Sequence, residues 1–121
     1  MKTVFSGIQP SGLVHLGNLL GAINNWVKLS EETSKNYFCI VDLHSLTGLP
    51  NKDDLNKSIG DTLKVLIASG INLDNSVIYT QSKLQEHAYL SWILSNFCQV
   101  GELQRMTQFK EKSSSFGTHS G

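Results

Sequence analysis

Two stretches near the N-terminus carry residue types suited to holding a nucleotide. Gln9-Pro10-Ser11-Gly12 is a small-residue turn, and His15-Leu16-Gly17-Asn18 follows it. Gly17 has no side chain to keep an adenine or a ribose away from the backbone. His15 and Asn18 can donate hydrogen bonds to phosphate as charge develops on it in a transition state. Each stretch also has a plainer reading. Pro followed by Ser-Gly is ordinary turn chemistry, and a histidine ahead of a helix is often a surface residue or a cap. Further along, Asp42 reads as the cap of a strand end. His44 either sits idle beside it or orients a polar substrate group in the same crevice as Gln9. Lys110 and Lys112 flank Glu111. They read as a solvated charged face, or as a loop whose lysine closes over a triphosphate as a point charge.

These residues need elements to position them. Thr3-Val4-Phe5-Ser6-Gly7-Ile8 predicts a strand, and the turn at 9–12 leads from it into a helix from about Gly17 to Ser30. Leu16, Leu19, Leu20, Ile23 and Val27 make one apolar stripe of that helix, widened by Trp26. A strand, a small-residue turn and a helix start form a phosphate site, because backbone N–H groups converge there and the helix dipole favours negative charge. Tyr37-Phe38-Cys39-Ile40-Val41 is apolar without alternation, as in a strand covered on both faces. Asn51 predicts an N-cap, with Asp53 and Asp54 in the first turn. Leu55, Ile59, Leu63, Leu66 and Ile67 supply the stripe of that second helix, and Gly70 its stop. Ser76-Val77-Ile78-Tyr79-Thr80 predicts a third strand. Ser82 and Gln85 have capping-box spacing before a helix carrying Leu90, Ile93, Leu94 and Phe97. A short polar helix over 101–112 and a serine- and glycine-rich mobile tail close the chain.

Alternation of strand and helix implies an α/β fold, a Rossmann-like parallel sheet with right-handed crossovers. It reads as the first half of a nucleotide-binding domain, with ligands at the carboxyl ends of the strands. The first strand would lie at an open edge. The 121 residues suffice for one domain, and 40% hydrophobic with 17% charged residues is an ordinary balance. The formal net charge is zero, so a nucleic-acid contact surface, which is usually basic, is not expected in these residues. No apolar run approaches the roughly 20 residues of a membrane span, and no secretory leader is visible, so a cytoplasmic location is expected. Cys39 and Cys98 are expected to be reduced, mostly buried thiols. No Cys-X-X-Cys pair suggests zinc.

Three stretches together resemble the N-terminal part of the bacterial-type tryptophanyl-tRNA synthetases: Phe5-Ser6-Gly7-Ile8-Gln9-Pro10-Ser11-Gly12, Phe38-Cys39-Ile40-Val41-Asp42-Leu43-His44, and 101–112 (Gly101-Glu102-Leu103-Gln104-Arg105-Met106-Thr107-Gln108-Phe109-Lys110-Glu111-Lys112). His15-Leu16-Gly17-Asn18 is similar to the His-Ile-Gly-His signature of class I synthetases, with asparagine in the last place. The resemblance implies activation of L-tryptophan with ATP and Mg2+ to tryptophanyl-adenylate, then transfer to tRNA(Trp). It implies ATP contacts from Gln9, Pro10, Ser11, Gly17 and Asn18. Phe5, Gly7, Val41 and His44 would line the tryptophan pocket. His15, Asn18 and Lys112 would be the catalytic group, with Lys112 on a mobile loop. It also implies a homodimer, with residues from Cys98 to Met106 near the interface.

The same resemblance implies that residues 1–121 are the N-terminal part of the catalytic domain. The second signature, Lys-Met-Ser-Lys-Ser, is absent, as are the indole-binding aspartate and the helical anticodon domain. The chain is therefore expected to be a truncation with little activity of its own. Two other readings stand beside this one. A tyrosyl-tRNA synthetase or another nucleotidyltransferase with a His-X-Gly-His turn would share the N-terminal half. A non-enzymatic nucleotide-binding or assembly module could self-associate through the open strand edge.

Overall fold

The computed structural model describes residues 2–10, 19–32, 35–107 and 109–110. They divide into two compact units, Met1–Leu84 and Gln85–Gly121. The first unit is built on three parallel strands, β1 (Thr3–Ile8), β2 (Lys35–Ile40) and β3 (Ser76–Thr80), in the order β1-β2-β3. The first strand is thus at an edge, as the alternation of elements predicts. The bounds of β1 and β3 match the sequence reading. The second strand runs over Lys35–Ile40 rather than 37–41, because Val41 turns out of the ladder while its N–H still reaches the Ile8 carbonyl at 2.9 Å.

The pleat sends alternate side chains to opposite faces. Ser6, Ile8, Phe38, Ile40 and Ile78 face the helices. There Leu19–Ile23 makes a π-helical turn that runs on into α1 (Asn24–Glu31). The helix start predicted at Gly17 lies outside the described residues. Trp26 of α1 stacks on Phe38 with ring centroids 4.4 Å apart and planes 7° from parallel. Its Nε1–H donates to the Ser6 hydroxyl at 3.0 Å, so the indole is buried without leaving a donor unpaired. Ile23, Phe38, Ile40 and Leu66 are fully enclosed around this stack. Each such side chain contributes about 1.5–3 kcal/mol of apolar burial.

After β2 the chain forms α2 (Asp42–Ser45) and a 3-10 turn (Leu46–Gly48). It then enters α3 (Lys52–Ala68). Asn51 caps α3 as predicted: its side-chain oxygen accepts the Asp54 N–H at 2.8 Å. Gly70 ends the segment at φ +87°, a conformation that glycine adopts without strain. The buried face of α3 differs from the predicted stripe. Thr62 and Leu66 are buried with Ile59 and Val65 packed behind, whereas Leu63 and Ile67 are 38% and 52% exposed. The spacing identifies the helix, but the direction in which the face turns depends on what it meets.

A further 3-10 turn (Gln81–Lys83) follows β3. The predicted capping box at Ser82 and Gln85 does not form. Ser82 lies inside this turn, where its N–H is donated to Asp42, and α4 (Gln85–Ser95) starts afresh. The second unit holds α4 and α5 (Val100–Leu103). The polar helix predicted over 101–112 is interrupted where described: turns at 104–106 follow Leu103, and residues 107, 109 and 110 are helical again. Cys98 is exposed, not buried as expected. Within that unit Leu90, Ile93, Leu94 and Phe97 are exposed as well.

Candidate active site

The site begins at the carboxyl ends of the strands. Chain directions in a parallel sheet all point to that edge, so the loops leaving it can converge there. Gln9 and Pro10 continue β1 at this edge. Gln9 is exposed and Pro10 buried. Both line an open cavity of about 210 Å3, together with Ser45, Gly48, Pro50 and the first turns of α3 at Asp54, Leu55 and Ser58.

The sheet face away from α1 carries the residues that the sequence assigns to the amino acid. Phe5, Tyr37 and Val77 lie in register across the three strands, and all are exposed. One pleat further on, Gly7, Cys39 and Tyr79 form the next row. Gly7 is closely overhung: a Cβ built on it would lie 3.0 Å from the Val41 Cγ1 atom. Val41, the first residue past β2, therefore folds back over Gly7. Three of the four predicted tryptophan contacts, Phe5, Gly7 and Val41, thus share one face of the sheet. The fourth, His44, is exposed on α2, three residues beyond Val41. Ser11, His15, Gly17, Asn18 and Lys112 lie outside the described residues.

Two more residues of this face interact; the sequence marked only one of them, Cys39, and that as a buried thiol, which it is. The Tyr79 hydroxyl and the Cys39 thiol hydrogen-bond to each other across the β2–β3 pair. Burial, reinforced by that bond, pushes the tyrosine up to about 12. Burial also raises the thiol of Cys39, with the nearby Asp42 charge adding to the shift and the Tyr79 bond opposing it. Their pairing comes from the β2–β3 register, which no local sequence pattern signals.

A pH dependence follows from these shifts. Both groups hold their protons more tightly in the folded chain, so folded protein binds more protons than unfolded and stability falls as pH rises. The Tyr79 contribution is fully present below its ordinary value of 10.0 and is lost as pH climbs toward about 12. The Cys39 contribution is fully present below 9.0 and is lost above it. Denaturant midpoints should therefore fall across this alkaline range, and fall less in Tyr79→Phe. Equal pH slopes for the two proteins would contradict the assignment.

Asp42 is also more than a strand-end cap. Its carboxylate is buried, at 6% residue exposure, and accepts the Ser82 N–H at 3.0 Å, tying α2 to the turn after β3. Among the described residues no three His, Cys, Asp or Glu side chains converge to hold a metal ion.

The arrangement is a parallel sheet with a substrate-sized apolar face and a polar carboxyl edge. It offers binding and orientation. Known proteins share this fold. A tryptophan–tRNA ligase of Oceanobacillus iheyensis is 50% identical over 113 residues, which cover 93% of this chain and 34% of that protein. That of Clostridium perfringens is 47% identical over 120 residues, 99% of this chain and 36% of the relative. The chain thus spans about a third of the length of the curated relatives it matches. The crystal structure of tryptophanyl-tRNA synthetase from Mycoplasma pneumoniae superposes with a TM-score of 0.85 at 36% identity, over 94% of this chain and 34% of that one. No helix among the described residues is long and apolar enough to cross a membrane. The family model for class I tRNA synthetases (W and Y) matches residues 1–121, and the chain belongs to that family.

Proposed function

We propose that the chain carries the tryptophan- and ATP-facing half of the active site of a tryptophan–tRNA ligase. The supporting observation is the overhang of Val41 on Gly7 beside the exposed Phe5, on a face that ends at Gln9 and Pro10. A planar indole can lie against Gly7, where a side chain would block it. Gln9, Pro10 and Ser11, with Gly17 and Asn18, would hold ATP at the strand ends.

The reaction is in-line attack by a tryptophan carboxylate oxygen on the α-phosphorus of ATP. A carboxylate O–P bond forms, the bond from phosphorus to the pyrophosphate oxygen breaks, and pyrophosphate leaves with that electron pair. The adenylate then passes its acyl group to a terminal ribose hydroxyl of tRNA(Trp), releasing AMP. Catalysis rests on positioning and on stabilising phosphate charge. His15, Asn18 and Lys112 are the proposed donors for that charge.

Residues 1–121 are proposed to be the N-terminal part of the catalytic domain, and the whole protein a cytoplasmic homodimer. The exposed Phe97, Val100 and Met106 of the second unit support an interface there. Tryptophan-dependent ATP–pyrophosphate exchange by the full-length protein tests the reading. Exchange with tryptophan is expected, and its absence would overturn the proposal.

A further inference from the structure

Asp42 opens α2, the short helix that carries His44, and lies next to Val41. Its burial is unexpected for a strand-end carboxylate, which water could satisfy at no cost. A buried carboxylate must instead find donors within the protein. Asp42 finds one in the Ser82 backbone N–H, forty residues on in sequence, in the turn that follows β3. An amide donating to a carboxylate makes a charge-assisted bond, roughly twice as strong as a neutral one.

The two turns joined by this bond are unusual in a second way. Ser45 Oγ, on α2, and Gln81 Oε1, on the turn after β3, are buried without a hydrogen-bond partner. Such atoms cost stability, so packing alone does not account for this pair of turns. A four-residue helix cannot hold its own geometry, because helix nucleation is unfavourable. Its placement must come from tertiary ties such as the one Asp42 makes. The negative charge of Asp42 also reaches the Cys39 thiol, the strand partner of Gly7. Asp42 also directly follows Val41, whose Cγ1 overhangs Gly7, so it adjoins the face on which tryptophan is proposed to lie.

We infer that Asp42 is a positioning residue for the tryptophan side of the site: by holding the Ser82 amide it fixes α2, and with it Val41 and His44. The inference rests on the functional reading above. Releasing α2 would shift two proposed tryptophan contacts together. Gln9 and Pro10, carried by β1, would stay in place. Ser45 of α2 touches the cavity that they line, so the effect should fall mainly on tryptophan and only weakly on ATP.

The test uses the full-length enzyme with Asp42→Ala and Asp42→Asn, the latter keeping an oxygen acceptor. Asp42→Ala should raise KM for tryptophan about ten-fold, the scale of a lost hydrogen bond to a charged group. KM for ATP and kcat should change by less than about two-fold, and Asp42→Asn should stay within about three-fold of the parent throughout. An unchanged tryptophan KM in Asp42→Ala overturns the inference, as does an equal rise in both KM values or an asparagine variant as impaired as alanine. If Asp42→Ala does not fold, Asp42→Glu keeps the charge but moves the oxygen by one methylene, and must itself show the selective rise. Hydrogen exchange at residues 81–83, followed without substrates, should speed up in whichever of these two variants folds. Unchanged exchange there overturns the latch even if the enzyme proves to have another substrate, so the two failures are distinguishable.

Discussion

Phe38→Ala is expected to destabilise the first unit by about 3–5 kcal/mol, the range for deleting a buried aromatic ring. Phe38 is fully enclosed in the central strand, and its ring forms the floor on which Trp26 stacks. Truncation opens a cavity between sheet and helix and removes an aromatic pair worth about 0.5–1.5 kcal/mol beyond its area. The indole cannot simply sink into the hole, because its N–H is anchored on Ser6 at 3.0 Å. Domains are stable by only about 5–15 kcal/mol, so the variant should approach the unfolded state. Urea denaturation followed by circular dichroism reads the loss. A cost under about 1 kcal/mol would mean that Phe38 is not the centre of this core.

Gly7→Val is expected to act on function far more than on stability. A Cβ at this position would lie 3.0 Å from Val41 Cγ1, tighter than most side-chain contacts. Val41 must give way, and the added methyl groups occupy the face beside Phe5 where the indole is proposed to lie. A displacement of about 1 Å at a reacting group can cost about 100-fold in rate, and a loss of that order is predicted in kcat/KM for tryptophan. Overpacking at an exposed strand position should cost no more than about 1–3 kcal/mol of stability. Gly7→Ala, which adds one methyl, should fall between the parent and Gly7→Val. Full activity in Gly7→Val would remove the substrate from this face.

How much of this was legible in the sequence depends on whether local chemistry or distant partners decide. The strands at Thr3–Ile8 and Ser76–Thr80, the cap at Asn51 and the stop at Gly70 follow from residues a few positions apart, and all stand where the sequence places them. The capping box at Ser82 failed because Asp42, distant in sequence, takes the Ser82 amide. No local pattern announces that bond. The face of α3 was misjudged for a related reason. Helical spacing marks an apolar stripe, and Ile59 and Leu66 of it do face the core, but Thr62 turns inward beside them while Leu63 and Ile67 stay at the surface. Cys98 was expected inside because it follows an apolar helix, yet it is exposed.

The candidate site divides along the same line. Strand alternation puts Phe5 and Gly7 on one face, and family resemblance attaches tryptophan to them. The return of Val41 over Gly7 depends on how β2 ends and is visible only in three dimensions. Tyr79 paired with Cys39 was likewise hidden, since β2–β3 register sets that contact.

The central claim is that this sheet face and its carboxyl edge serve tryptophan activation. ATP–pyrophosphate exchange by the full-length protein, measured with tryptophan and with tyrosine, tests it most directly. The account predicts exchange that depends on tryptophan, with tyrosine at least about 100-fold poorer in kcat/KM. Exchange supported by tyrosine and not by tryptophan, or by neither, would contradict it.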